Sequence, residues 1–173
     1  MNNQVEKIEW GKWERLHDQG DAVIIASGTM VDVALAVREG FRGERDIVVV
    51  NARFIKPMDK EMMEWVAADF DHVITLEENS YMGGLGQTAG AYLSHSGFRG
   101  SFKSFAVPDR FIEHGSRSVL LKEIGLVPEN IAEYIRSLYK SRRAFLGRLM
   151  MRKNSGGKAE LQTGIGQSKA TGK

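Results

Sequence analysis

No cysteine occurs in the 173 residues. That excludes a disulfide framework, a thiolate metal site and a cysteine nucleophile together. It also suits a reducing compartment, and the expected location is cytoplasmic. Long apolar runs are missing too: nothing approaches the ~20 residues that span a bilayer. Met1 to Leu16 is polar and charged and contains no signal-peptide core. No membrane partner is therefore expected. Proline is scarce, with three in all, and each marks a boundary. Pro57 stops a strand-like run, Pro108 follows another, and Pro128 suits the first position of a helix.

What is present is the composition of a soluble globular protein, 42% apolar and 27% charged. The net charge of +2 conceals an asymmetry. Residues 1–139 carry 15 Lys/Arg against 21 Asp/Glu, net −6, and residues 140–173 carry 9 against 1, net +8. The basic character belongs to a tail and says little about a ligand of the main domain.

Val23-Ile24-Ile25-Ala26 and Ile47-Val48-Val49-Val50 read as strands buried on both faces. The second is expected to run on through Asn51-Ala52-Arg53-Phe54. Between them, Thr29 opens a helix with Asp32 three residues on, a capping-box-like pair. Asp59 is placed to cap a helix carrying Met62, Met63 and Val66. His72 to Leu76 reads as a third strand ending in Glu77-Glu78. A glycine turn, Gly83-Gly84-Leu85-Gly86, leads into a helix with Ala89, Tyr92 and Leu93 on one face. Phe102, Phe105 and Val107 suggest a fourth strand. Ser116 opens a short helix through Ile124, and a longer one from Pro128 bears Ile131, Tyr134, Ile135 and Leu138. The alternation predicts a three-layer αβα domain with a mostly parallel sheet, right-handed crossovers and C-terminal helices. Lys140, Arg142, Arg143, Arg148, Arg152 and Lys153 form a basic helical extension, read as a solvated helix end rather than a nucleic-acid surface. From Asn154 the composition predicts disorder.

The chemistry-bearing residues are few. At Gly83, Gly84 and Gly86, tight turning is expected over phosphate binding, because the spacing fits no phosphate loop and two glutamates lie upstream. Glu77 and Glu78 are strand neighbours, so their side chains point to opposite faces and cannot form an acid/base pair. One of them is expected to cap backbone groups of the glycine turn. The four histidines have no metal-binding spacing. Pro108 to Gly115 places Asp109, Arg110, Glu113 and His114 in a loop after a strand, the edge where ligands meet α/β sheets. Two readings stay open there: a site, or a loop pinned by an Asp109–Arg110 or Glu113–Arg117 contact. There is no Gly-x-Ser-x-Gly elbow and no His-Glu-x-x-His. Taken residue by residue, no catalytic, cofactor-binding or metal residue emerges.

Three ordered motifs carry a resemblance. Val50-Asn51-Ala52-Arg53-Phe54-Ile55-Lys56-Pro57-Met58-Asp59 resembles the V-N-A-R-F-V-K-P-L-D segment of 1-deoxy-D-xylulose-5-phosphate synthases, in the transketolase superfamily. Thr75-Leu76-Glu77-Glu78-Asn79 with Met82-Gly83-Gly84-Leu85-Gly86 resembles their T-V-E-E-N…G-G-F-G. Pro108 to Gly115 resembles their P-D-x-F-I-x-H-G, and Ala26-Ser27-Gly28-Thr29-Met30 fits their first turn.

The resemblance implies a transketolase C-terminal-like domain over residues 8–140, then the basic helical extension over 141–153 and the disordered tail over 154–173. It implies a structural, dimer-supporting role in an enzyme that condenses pyruvate with glyceraldehyde 3-phosphate, using thiamine diphosphate and magnesium, as a homodimer. The remaining domains of the synthase would be its partners. The Gly-Asp-Gly…Asn magnesium motif, the activating glutamate and the preceding Tyr-Pro-Arg-Gly stretch are not in this chain. The chain is thus expected to be inactive alone and to bind neither group, like a split chain or gene fragment. Glu78, Asn79, Gly83, Gly84, Gly86, Asp109, Arg110 and His114 are the expected interface or loop site. The alternatives are a docking module like the C-terminal domain of 2-oxoacid dehydrogenase β subunits, or a small-ligand regulatory domain.

Overall fold

A computed structural model describes residues 7–140. The extension over 141–153 and the tail over 154–173 lie outside the described residues.

Four parallel strands and one short antiparallel strand form a single sheet. They are β1 (Glu14–Arg15), β2 (Ala22–Ala26), β3 (Ile47–Asn51), β4 (His72–Ser80) and β5 (Ser101–Val107), in the order β1-β3-β2-β4-β5. Only β1 runs antiparallel, with Glu14 opposite Asn51. In register, Ala22 pairs with both Ile47 and His72, and Ala26 with both Asn51 and Leu76. Every residue of β2 is fully buried. A central parallel strand covered on both faces demands this, and it explains the unbroken apolar runs.

Side-chain alternation splits the sheet into two apolar faces. Val23, Ile25, Val48, Val50 and Val73 point to one face. They pack there with Met62, Met63 and Val66 of α2 (Lys60–Asp69) and Leu85, Ala89 and Leu93 of α3 (Leu85–His95). The intervening residues Ile24, Val49, Ile74 and Leu76 face the other way. On that side lies α1 (Met30–Glu39), which contacts β2, β3 and β4 and buries Met30, Ala34 and Val37. From β2 to β3 the chain moves toward one edge, and from β3 through β4 to β5 it moves toward the other. A single crossover hand requires the helices to change face at that reversal, and they do.

The Asp59 cap forms as expected. Its Oδ1 accepts from the Met62 N–H at 3.1 Å, and its Oδ2 accepts from the Trp13 N–H at 2.9 Å. One buried carboxylate thus starts α2 and ties down the N-terminal segment. Ser116 precedes α4 (Arg117–Glu123), and a further helix begins at residue 128 and continues to the end of the described chain. Compact packing groups the residues up to Glu133, with Tyr134 onward forming a second unit. Within that second unit the described residues, 134–140, are helical.

Three expectations need correction. First, β3 ends at Asn51. The Ala52 N–H instead donates to the Ala26 carbonyl and the Arg53 N–H turns back to the Asn51 carbonyl, so 52–54 leave the ladder. Second, β4 runs past Leu76 to Ser80, carrying both glutamates within the strand. Third, Thr29 makes no side-chain cap on α1. Its hydroxyl is committed across the sheet edge to Glu78.

Candidate functional site

Neighbouring β2 and β4 send their connections to opposite sides of the sheet, so the switch point where α/β sheets form their ligand crevice lies at their carboxyl ends. The two adjacent glutamates of β4 end there, and alternation sends them to opposite faces.

Glu77 turns toward α3. It is fully buried, and its two oxygens accept from the backbone N–H groups of Leu85 (2.9 Å) and Gly86 (2.7 Å). These are orphan donors of the α3 N-terminus, whose partial positive charge favours a carboxylate. The glycines of the turn make the approach feasible. A Cβ on Gly84 would collide with the Glu77 carboxylate and lie 2.5 Å from the Ser80 carbonyl oxygen; one on Gly86 would collide with the Ser104 hydroxyl. Gly83 has φ +81°, in the left-handed region, and its N–H donates to Gln87 Oε1. The turn is therefore built for close packing, and its own glutamate occupies the place where a phosphate would sit.

Glu78 turns toward α1 and α4. Its carboxylate accepts from Arg117 Nε at 2.8 Å and Nη2 at 2.5 Å, and from the Thr29 hydroxyl at 2.8 Å. Arg117 Nη2 also donates to the Thr29 oxygen at 2.9 Å. The bidentate Arg117 guanidinium holds the Glu78 carboxyl below the usual carboxylate range, with the Thr29 hydroxyl helping. This triad links the loop after β2, the end of β4 and the first turn of α4. Beside it lies an open pocket of about 400 Å3 lined by Glu78, Ile112, Arg117, Leu120, Leu121 and Ile124.

Among the other expected site residues, Asn79 Oδ1 accepts from the Ser80 N–H at 2.9 Å and shapes the strand end. Asp109, Arg110 and His114 are exposed on the loop after β5. Arg110 pairs with Glu123 at 3.2 Å, and Arg117 pairs with Glu78. Neither of the two contacts foreseen for this loop, Asp109–Arg110 or Glu113–Arg117, is the one these arginines make. The structure joins Glu78 to the loop's far end through Arg117, and it keeps Glu77 and the glycine turn apart on the opposite face. Thr29 and Arg117 are the members that sequence reasoning missed. The available signal was a strand-end glutamate facing a helix that opens with an arginine.

Among the described residues, no three His, Asp or Glu side chains converge as a metal ion would require. With the α3 N-terminus filled by Glu77 as well, these residues do not fit thiamine diphosphate with its magnesium. No helix among them is long and apolar enough to cross a membrane.

Comparison with known proteins agrees with this architecture. The chain is 37% identical over 129 residues to the 1-deoxy-D-xylulose-5-phosphate synthase of Clostridium perfringens, covering 73% of this chain and 21% of that protein. With the synthase of Aquifex aeolicus it is 40% identical over 139 residues, covering 80% and 22%. The chain thus spans about a fifth of the length of these curated relatives. A solved split-gene transketolase, described as an inactive β4 tetramer, superposes with a TM-score of 0.68 at 28% identity, over 77% of this chain and 43% of that one. The family description "Transketolase, C-terminal domain" matches residues 11–131. With well over half of the chain matched, and with the glycine turn and both strand-end glutamates inside the match, the chain belongs to the transketolase C-terminal domain family.

Proposed function

We propose that this chain serves as the C-terminal structural domain of a thiamine-diphosphate-dependent 1-deoxy-D-xylulose-5-phosphate synthase, cytoplasmic and dimeric when intact. Its task is to present an ordered sheet edge to the remaining domains rather than to supply reacting groups. The observation that carries this reading is the use made of the two glutamates at this switch point. Glu77 is spent on capping α3 and Glu78 on Arg117 and Thr29. Acidic groups at the place where α/β sheets bind ligands are consumed in bracing loops. The relatives at 37% and 40% identity support the choice of enzyme. In such an enzyme the cofactor would supply the carbanion chemistry from the other domains, with the loop at Asp109, Arg110 and His114 among the contacts to them.

A fusion tests the assignment. The first four-fifths of the Clostridium perfringens synthase, joined to this chain in place of its own last fifth, should form 1-deoxy-D-xylulose 5-phosphate. The same polypeptide ending before the junction should not. A folded fusion with no synthase activity would refute the assignment. A docking module would instead show itself by binding a separate protein while leaving the synthase portion inactive.

A further inference from the structure

The large apolar side chains left exposed among the described residues are Ile8, Trp10, Tyr81, Met82, Phe111 and Val119. Single exposed apolar residues are ordinary; concentration at one place is not. Tyr81 and Met82 follow β4, Phe111 follows β5, and Val119 lies in the first turn of α4, beside the Arg117–Glu78 pair. Trp10 packs edge-on against Phe54 at 5.0 Å, and Gly11 to Trp13 lie along Phe54 to Asp59, the segment leaving β3. Ile8 is two residues away from Trp10. All six therefore belong to segments at the carboxyl edge of the parallel sheet, and the amino edge bears none of them. Phe111 is 102% exposed while its neighbour Ile112 lines the pocket beside the triad. Ile112 is thus half-buried where Phe111 is fully exposed.

We propose that this carboxyl edge, with Phe111 and Met82 at its β4–β5 flank, is the surface that docks against the domain preceding this one in the synthase polypeptide. The proposal rests on the function proposed above and adds the face and its occupant. Chain path selects the occupant. The matched family is a C-terminal domain, and the relatives are about five times longer than the segment matched, so most of their chain precedes it. The chain enters this domain through residues 8–13, along that same edge. A preceding domain is thus delivered to the apolar face by its own connection, at high effective concentration. Exposed aromatics on such a face are the residue type enriched among the anchors of an interface.

Amide hydrogen exchange tests this in the free chain and in the fusion. The amides of residues 81–83 and 111–115 should exchange at least about tenfold more slowly in the fusion. Loops of the amino edge, around Gly20, Asp46 and Gly100, should not change. Phe111→Asp should leave the melting temperature of the free chain within about 2–3 °C. In the fusion it should abolish the protection and lower activity at least about tenfold. An active fusion in which these amides exchange as freely as in the free chain overturns the docking face and spares the proposed function. An inactive fusion with the amides protected does the reverse. If the free chain self-associates in sedimentation and Phe111→Asp dissolves that association, the occupant is a second copy, and the proposal fails.

Discussion

At Glu77 a carboxylate sits in the sheet interior because two helix-end N–H groups need an acceptor there. Burying a charge without such partners would be costly; charge-assisted hydrogen bonds offset that cost. Removing the acceptor exposes the other side of that balance. Glu77→Ala leaves the Leu85 and Gly86 donors without a partner, at about 1–3 kcal/mol for each buried group left unsatisfied. The variant should therefore lose at least about 2 kcal/mol in urea unfolding. Glu77→Gln, which keeps one acceptor oxygen, should fall between it and the parent. A Glu77→Ala chain within about 0.5 kcal/mol of the parent would show that the capping bonds contribute little. Gly84→Ala approaches the same carboxylate from the other side, since its methyl has no room between Glu77 and Ser80.

Between elements, the Glu78–Arg117–Thr29 triad is the cross-brace. Helix α4 is seven residues long and Ser116 gives it no side-chain cap, so its first turn depends on what it is tied to. The folded state depresses the Glu78 titration below its unfolded value, about 4.3 for a free glutamate. The sign follows: the brace is at full strength above that unfolded value and is lost as pH falls through the lower, folded one. Arg117→Ala should thus lower the melting temperature at about pH 7, and the gap to the parent should narrow as the pH is taken below the usual carboxylate range. A gap independent of pH would mean that Arg117 acts through packing alone. Elements were legible from sequence where burial is two-sided. β2 and β3 announce themselves as β-branched runs because a central parallel strand has no wet face. β1 did not, being two charged residues on an edge, held through Trp13 and Asp59 rather than by any pattern of its own. The opposed directions of Glu77 and Glu78 followed from strand alternation alone. The identity of Glu78's partner did not, because Arg117 is 39 residues away and only the fold brings it near. The local reading of Thr29 as a cap failed for the same reason: a long-range acceptor outcompeted the backbone.

For the whole molecule, the decisive feature is that Glu77, Glu78 and Arg117 at the carboxyl edge are paired within the domain, while large apolar groups there stay exposed. A cofactor site would show the opposite, with convergent polar groups awaiting a ligand. Thiamine diphosphate brings a diphosphate that needs a metal and free donors. Here the α3 donors face Glu77 and Arg117 faces Glu78. Calorimetric titration of the free chain with thiamine diphosphate and magnesium should therefore give no binding heat, whereas the fusion with the synthase portion should bind. The difference must come from the domains that precede this one, because Phe111, Met82 and Trp10 offer nothing to a phosphate. Micromolar binding by the free chain would require donors beyond those committed to Glu77 and Glu78, and would return the switch point between β2 and β4 to the role of a ligand site.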